Sequence, residues 1–380
     1  MNLGGRGTSL IKVETDSGLV GYGEASASGG MIRARAEEMM PLLEGQDPLA
    51  IERHFHMMTS MIHPHLPHIP TVGGIDIALW DLAGKIIGLP VYRLLGGPFR
   101  MSIPMYSHGG VRDILDRKQW EDFYQRAKEL PEGFTIYKQG FGSGGYARGE
   151  AYASDLMPRP FDGAGWPVNL PQDHVKAIAR GFEIGKEVCG DDIQIAVHAH
   201  NELDTPTAID LARRIEPLDP PFFEDPLAVP YSESWLALRK ACRVPLLVGE
   251  KLELARGFKP FLENTCADIL HPDLVYAGGI TGCKRIAHLA EHYRIPVALH
   301  NVGHLTNTLA AAHFGCSTQN FYRSESRLGE GDRAVEQQAA GERPRVENGR
   351  LFVPEKPGLG VEWNVDYLEE HLAEGEPFWG

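Results

Sequence analysis

Glu224 and Glu250 close two apolar runs, PPFFED and PLLVGE, 26 residues apart. Two carboxylates so placed can converge on one divalent cation, and hard oxygen ligands suit Mg²⁺; a single one would more simply join a salt bridge. Asp273 and His300 close the next two runs, ADILHPD and PVALH. If they meet, the carboxylate fixes the imidazole tautomer and raises its basicity, making His300 a general base tunable to neutral pH; otherwise it is a satisfied core histidine. Glu325, near the end of NFYRSES, can donate a hydrogen bond to a developing oxyanion if burial keeps it protonated, or serve as a buried ion-pair partner. Lys138, near the end of GFTIYKQG, can neutralise a substrate carboxylate or an enolate oxygen, or be an ordinary solvated lysine. IAVHAH contributes His198 and His200. His200, set across the mouth from His300, can protonate a leaving hydroxyl or support a metal from behind its ligands.

These residues need elements that bring them together. From His198 to Glu325 they follow one another at steps of 26, 26, 23, 27 and 25 residues, each enough for one strand, one helix and two loops. Parallel strands require such crossovers, and runs rich in Val, Ile, Leu and Phe suit strands covered on both faces. The segments between them, among them Thr205–Ile215, Ser232–Ala241 and Cys283–His292, carry apolar residues at helical intervals. The pattern predicts a (β/α) barrel, whose catalytic groups stand at the C-terminal ends of its strands. An open doubly wound sheet is the alternative, and it would have to line up six acid, base or ligand residues at successive strand ends.

The first barrel strand is expected near Pro104–Gly109 and the second over Gly133–Gly140. Residues 141–171, rich in Gly, Pro and aromatics and carrying Arg148 and Arg159, read as a lid over the strand ends or as a surface insertion. Ahead of the barrel, 8–15 and 19–25 form a hairpin around Asp16-Ser17-Gly18. Helices are expected over Arg33–Leu43, Ala50–His63 and Ile75–Ile87, the last stopped by Gly88 and Pro90. Arg350–Val353 is a further strand, and Pro357–Trp363 a turn and strand folding back on the N-terminal module. The expected division is a cap at 1–100 completed by 346–380, with the barrel at 101–345.

Composition narrows the class. With 380 residues, 43% of them hydrophobic, the chain can bury a large core, and a net charge of −14 speaks against general nucleic-acid or anionic-membrane binding. Five cysteines without metal-type spacing are expected as buried free thiols, and with no signal peptide or spanning run the expectation is a cytoplasmic protein.

Taken together, VGYGEA, IDIALWDLAGKIIGLPVYRLLGG, FFEDP, VGEK, PDLVYAGGIT, ALHNVGH and PGLGVEW resemble the mandelate racemase subgroup of the enolase superfamily over nearly the whole chain. The resemblance implies a modified (β/α)7β TIM-type barrel with an α+β capping domain. It also implies abstraction of a proton α to a carboxylate, with Mg²⁺ stabilising the enediolate, in a homo-oligomer acting on a small-molecule sugar acid. Glu224 and Glu250 match two metal ligands, Asp273 and His300 the dyad, Glu325 the last-strand electrophile and Lys138 the first lysine of the second strand. His198 occupies the place of an aspartate ligand, which admits Mn²⁺ or another divalent ion beside Mg²⁺. Gly140 occupies the place of a second lysine base, which argues against two-base racemisation. The chain also begins close to TSLIKVET, where the family has an additional strand, so the cap sheet is expected to lack an edge or the true start to lie upstream. His200, like the long loop, resembles galactonate and mannonate dehydratases, where that histidine acts as acid. The expectation is an acid-sugar dehydratase yielding a 2-keto-3-deoxy acid. The alternatives are a racemase or epimerase using Lys138 or Tyr137 opposite His300, and a metal-poor homologue that binds a sugar acid without turnover.

Overall fold

The computed structural model describes residues 2–3, 8–60, 67–141, 169–201, 203–326, 328, 333–341, 343–376 and 378. Strand β1 (Asn2–Leu3) pairs antiparallel with β2 (Thr8–Glu14), which pairs with β3 (Val20–Ser26) from Thr8↔Ser26 to Glu14↔Val20. The cap sheet therefore has a short edge strand of two residues, where a missing edge was one of the two expectations. Helices α1 (Gly29–Leu43), α2 (Ile51–Thr59), α3 (Ile69–Ile87) and α4 (Val91–Leu94) follow. Helix α3 begins six residues before its expected start, because Pro70 suits a first turn and Gly74 serves packing. A Cβ on Gly23 of β3 would come within 1.8 Å of the Gly74 carbonyl, so glycine there lets strand and helix touch main chain to main chain. Gly88, at φ 77°, ends α3.

The barrel strands are β4 (Ser102–His108), β5 (Ile136–Gly140), β6 (Gln194–His198), β7 (Phe223–Glu224), β8 (Leu246–Val248), β9 (Ile269–Leu270), β10 (Val297–Leu299) and β11 (Phe321–Glu325). Each pairs in parallel with the next, and β11 pairs back onto β4 through Ser324↔Met105 and Glu325↔Tyr106, closing the barrel. The intervening helices are α5 (Arg117–Glu129), α6 (Gln172–Cys189), α7 (Thr205–Ile215), α8 (Glu233–Ala241), α9 (Leu254–Glu263), α10 (Gly279–His292) and α11 (Leu305–Cys316), giving the expected (β/α)7β order. Strand alternation divides the core in two. Tyr106, Ile136, Ala196, Phe222, Leu247, Ile269 and Ala298 meet inside the barrel with Tyr322 against them, while neighbours such as Tyr137 and Val197 pack with helix residues such as Trp120 and Phe123. All five cysteines are buried and unpaired.

After α12 (Arg333–Gln337), strands β12 (Val346–Glu347) and β13 (Arg350–Phe352) pair antiparallel, and β13 adds to barrel strand β4. Part of the segment expected to complete the cap thus belongs to the barrel sheet. Pro357–Trp363 makes isolated bridges rather than the expected strand. Trp363 meets Tyr22 edge to face at 5.8 Å, and Leu368 of α13 (Val365–Glu370) packs on Leu10, so this stretch does reach the N-terminal module. Residues 142–168, with the expected lid and its Arg148 and Arg159, lie outside the described residues.

Candidate active site at the mouth of the barrel

β6, β7 and β11 end on His198, Glu224 and Glu325, while Glu250, Asp273 and His300 follow β8, β9 and β10 within three residues. Lys138 lies within β5, in register with His108 and Ala196. Barrel closure brings these groups together. His300 Nδ1 is 2.7 Å from Asp273 Oδ2, so Nε2 is the nitrogen left facing the site. Asp273 is fixed in turn by the Val275 N–H, which donates to Oδ1 at 2.7 Å. Glu250 stands between two imidazoles, with His300 Nε2 3.3 Å from Oε2 and His200 Nε2 3.3 Å from Oε1.

Lys138 is not a solvated lysine. Its side chain is 4% exposed, and Nζ lies 3.0 Å from Glu224 Oε1 and 2.7 Å from Glu325 Oε1. Burial draws its pKa down, but Glu224, Glu325 and Glu250 outweigh that and hold it well above the usual lysine range. Of the two readings open for Glu325, its surroundings favour the buried ion-pair partner. Burial pushes its carboxyl up, yet Lys138, His300 and His108 more than offset this and hold it well below the usual range, so it is an ionised ion-pair partner and not a protonated donor. Glu224 is held low in the same way, burial being overcome by Lys138, His198 and His271. Burial lowers His300, and Glu325, Glu250 and Asp273 outweigh it and raise it to about 10; a cation bound at Glu250 would act against that pull. His198 is lowered by burial, only partly offset by Glu224.

Three ligand-type groups, His198, His200 and Glu250, place one ligand atom each within 4.8 Å of one another. His198 Nδ1 and Glu224 Oε2 are buried without a hydrogen-bond partner; the 3.3 Å from His198 Nδ1 to Glu224 Oε1 is an ion-pair distance without hydrogen-bond geometry. The donors fit a divalent cation. They do not fit the all-oxygen shell that Mg²⁺ prefers, because two of the three converging groups are imidazoles.

Other residues complete the mouth and escaped the sequence reading. His108, at the end of β4, brings Nε2 to 2.6 Å from Glu325 Oε1 and is 45% exposed. Beneath it, His271 Nε2 is 2.8 Å from the Tyr106 hydroxyl, which donates to Glu325 Oε2 at 3.4 Å. His271 is fully buried, and burial, partly countered by Glu224, lowers it to about 4. The strand-end rule applied to PMYSHG would have found His108. Strand alternation back from Asp273 would have pointed His271 inward.

The fold and motifs can be set beside known proteins. Residues 5–96 match the mandelate racemase / muconate lactonizing enzyme N-terminal domain, and residues 122–367 match the enolase C-terminal domain-like family. The chain belongs to the mandelate racemase/muconate lactonizing enzyme family of the enolase superfamily. Among relatives in this family, D-xylonate dehydratase of Haloferax volcanii is 33% identical over 378 residues, 97% of this chain and 86% of that protein. A D-galactonate dehydratase family member of Paenibacillus sp. is 32% identical, covering 97% and 90% of the two chains. The crystal structure of a mandelate racemase/muconate lactonizing enzyme-like protein from Rubrobacter xylanophilus superposes with a TM-score of 0.86 at 27% identity, over 100% of this chain and 99% of that one.

Proposed function

We propose that this family member is a metal-dependent dehydratase of a sugar acid, a hydro-lyase giving a 2-keto-3-deoxy acid. The observation that carries the reading is the row His200–Glu250–His300, with the Asp273-held imidazole on one flank of a single carboxylate. His300 Nε2 takes the proton from the carbon α to the substrate carboxylate, and the electron pair moves into that carboxylate as an enediolate. The 3-hydroxyl then leaves as water from the other flank of Glu250, taking its proton from the Lys251 ammonium beside the His200 ring. The resulting enol tautomerises to the ketone. Lys138, fixed by Glu224 and Glu325, contributes positive potential at the floor of the site. His198, His200 and Glu250 would hold a divalent cation, which would supply positive charge beside the substrate carboxylate.

The names of the relatives support this reading, as they include D-xylonate, D-galactonate, D-mannonate and D-gluconate dehydratases. Among the described residues, the positions weighed for a base opposite His300 do not supply one. Gly140 has no side chain, Lys138 is locked in ion pairs, and Tyr137 packs edge to face against Phe123 at 5.0 Å on the helix side of its strand. A library of hexonates, pentonates and aldarates, assayed for 2-keto-3-deoxy products with His300→Asn as control, tests the proposal. At least one acid is expected to be dehydrated by the wild type alone; deuterium exchange at C2 with retention of every hydroxyl would refute it.

A further inference from the structure

We infer that the cation this site selects is a transition-metal ion rather than Mg²⁺, held by His198, His200 and Glu250. The inference rests on the dehydratase reading for where the ion works, not for which ion it is. Two imidazole nitrogens and one carboxylate oxygen within 4.8 Å of one another form a two-histidine, one-carboxylate set. Imidazole suits Zn²⁺, Fe²⁺, Ni²⁺ and Cu²⁺, and such a set leaves coordination positions for a substrate, whereas Mg²⁺ gains little from nitrogen donors. Glu224, the second carboxylate expected as a ligand, lies outside this group and has one oxygen 3.0 Å from the Lys138 ammonium, so less carboxylate charge faces a hard cation.

The placement of His200 is built rather than incidental. His200 and Asn201 both take left-handed backbone conformations, φ 59° and 64°, which side chains other than glycine rarely adopt. The bend is held from the neighbouring strand ends. The Asn201 N–H donates to the Asp225 carbonyl, Asn201 Nδ2 donates to the Leu227 carbonyl at 2.7 Å, and Lys251 Nζ donates to the His200 carbonyl at 2.8 Å. This turn sets the His200 ring at a centroid distance of 5.2 Å from that of His198, so that both imidazoles face Glu250. As a ligand His200 is withdrawn from the acid role expected for it, and Lys251, 3.8 Å from Glu250 Oε1, is the proton donor left on that flank.

The test uses the full chain freed of metal by dialysis against a chelator and titrated calorimetrically with MgCl₂, MnCl₂, CoCl₂ and ZnCl₂, with Co²⁺ absorption as a second readout. Co²⁺ and Zn²⁺ are expected to bind at least about 100-fold more tightly than Mg²⁺. His200→Gln and His198→Gln should each weaken Co²⁺ binding by about tenfold or more and change its visible spectrum, Glu224→Gln should change it by less than about threefold, and His198→Asp should shift preference toward Mg²⁺. Mg²⁺ affinity within about tenfold of Co²⁺ in the wild type, a comparison that needs no variant to fold, would overturn the inference. So would a Co²⁺ spectrum unmoved by His200→Gln. Tight Co²⁺ binding without turnover of any sugar acid would sink the dehydratase reading and leave this inference standing. Dehydration sustained by Mg²⁺ with no preference for Co²⁺ would do the reverse.

Discussion

Glu24 and Glu250 are both buried carboxylates, one in the seam between the N-terminal module and the barrel, the other in the barrel mouth. Glu24 accepts from the backbone N–H groups of His304 and Asn307 at 2.7 and 3.2 Å, stitching β3 to the start of α11. Other ionisable groups of the seam are held by hydrogen bonds too. Asp81 accepts from the N–H groups of Tyr22 and Leu359 and from Lys85, Asp76 accepts from the Thr281 N–H, and His313 lies between the Tyr92 N–H and the Leu359 carbonyl. In the mouth, ionisable side chains face one another instead, and His198 Nδ1, Glu224 Oε2, Asp225 Oδ2 and His271 Nδ1 are without a hydrogen-bond partner. In the seam, Asp76 Oδ1, His304 Nε2, Thr306 Oγ1 and Asn307 Oδ1 share this state, so the difference lies in what the carboxylates meet: mostly backbone N–H groups in the seam, other ionisable side chains in the mouth. An unmatched buried polar atom costs about 1–3 kcal/mol. The contrast separates burial that holds two modules together from burial that keeps donors and acceptors aimed at a ligand.

If that division is right, changes in the mouth should strike turnover or leave a charge stranded, and changes in the seam should act on stability. The largest effect is expected from His300→Asn, a loss of about 10³-fold or more in kcat, read by product formation on variant protein shown by circular dichroism to be folded. Lys138→Met should come next. It strands Glu224 and Glu325 in the barrel interior and should cost about 3–5 kcal/mol in denaturant unfolding, far more than a surface ion pair.

In the seam, burial lowers His313 from 6.5 to about 4, with the Leu359 carbonyl opposing only in part. As pH falls, the unfolded chain takes up the proton first, so this stability is full above pH 6.5 and is lost progressively toward pH 4. The loss should reach about 3 kcal/mol at the acid end, measured as unfolding free energy against pH, and His313→Gln should flatten that part of the profile. The smallest effect is expected from Glu24→Gln, about 1–2 kcal/mol of stability with kcat changed less than about tenfold. A kcat loss as large as that of His300→Asn would erase the distinction between the two regions.

Much of the architecture was legible because strand and helix periods are local properties of a chain. The step between apolar runs announced the βα units, and the polar residue ending each run announced the mouth. Helix α3 was read short because its opening glycines look like helix breakers until β3 lies against them. The cap edge was missed because a two-residue strand has no periodicity to read.

From sequence alone came a βα barrel and the list of strand-end residues, set by spacing and residue type, and, through the resemblance of its motifs, the (β/α)7β order and the family. Tertiary structure alone decided which of those residues touch. It gave Lys138 to both Glu224 and Glu325, made Glu325 an ionised partner, and drew His108, His271 and Tyr106 into the site. The reason is physical: protonation and metal preference depend on burial and on charges brought close by barrel closure, and neither is a property of any one stretch of chain.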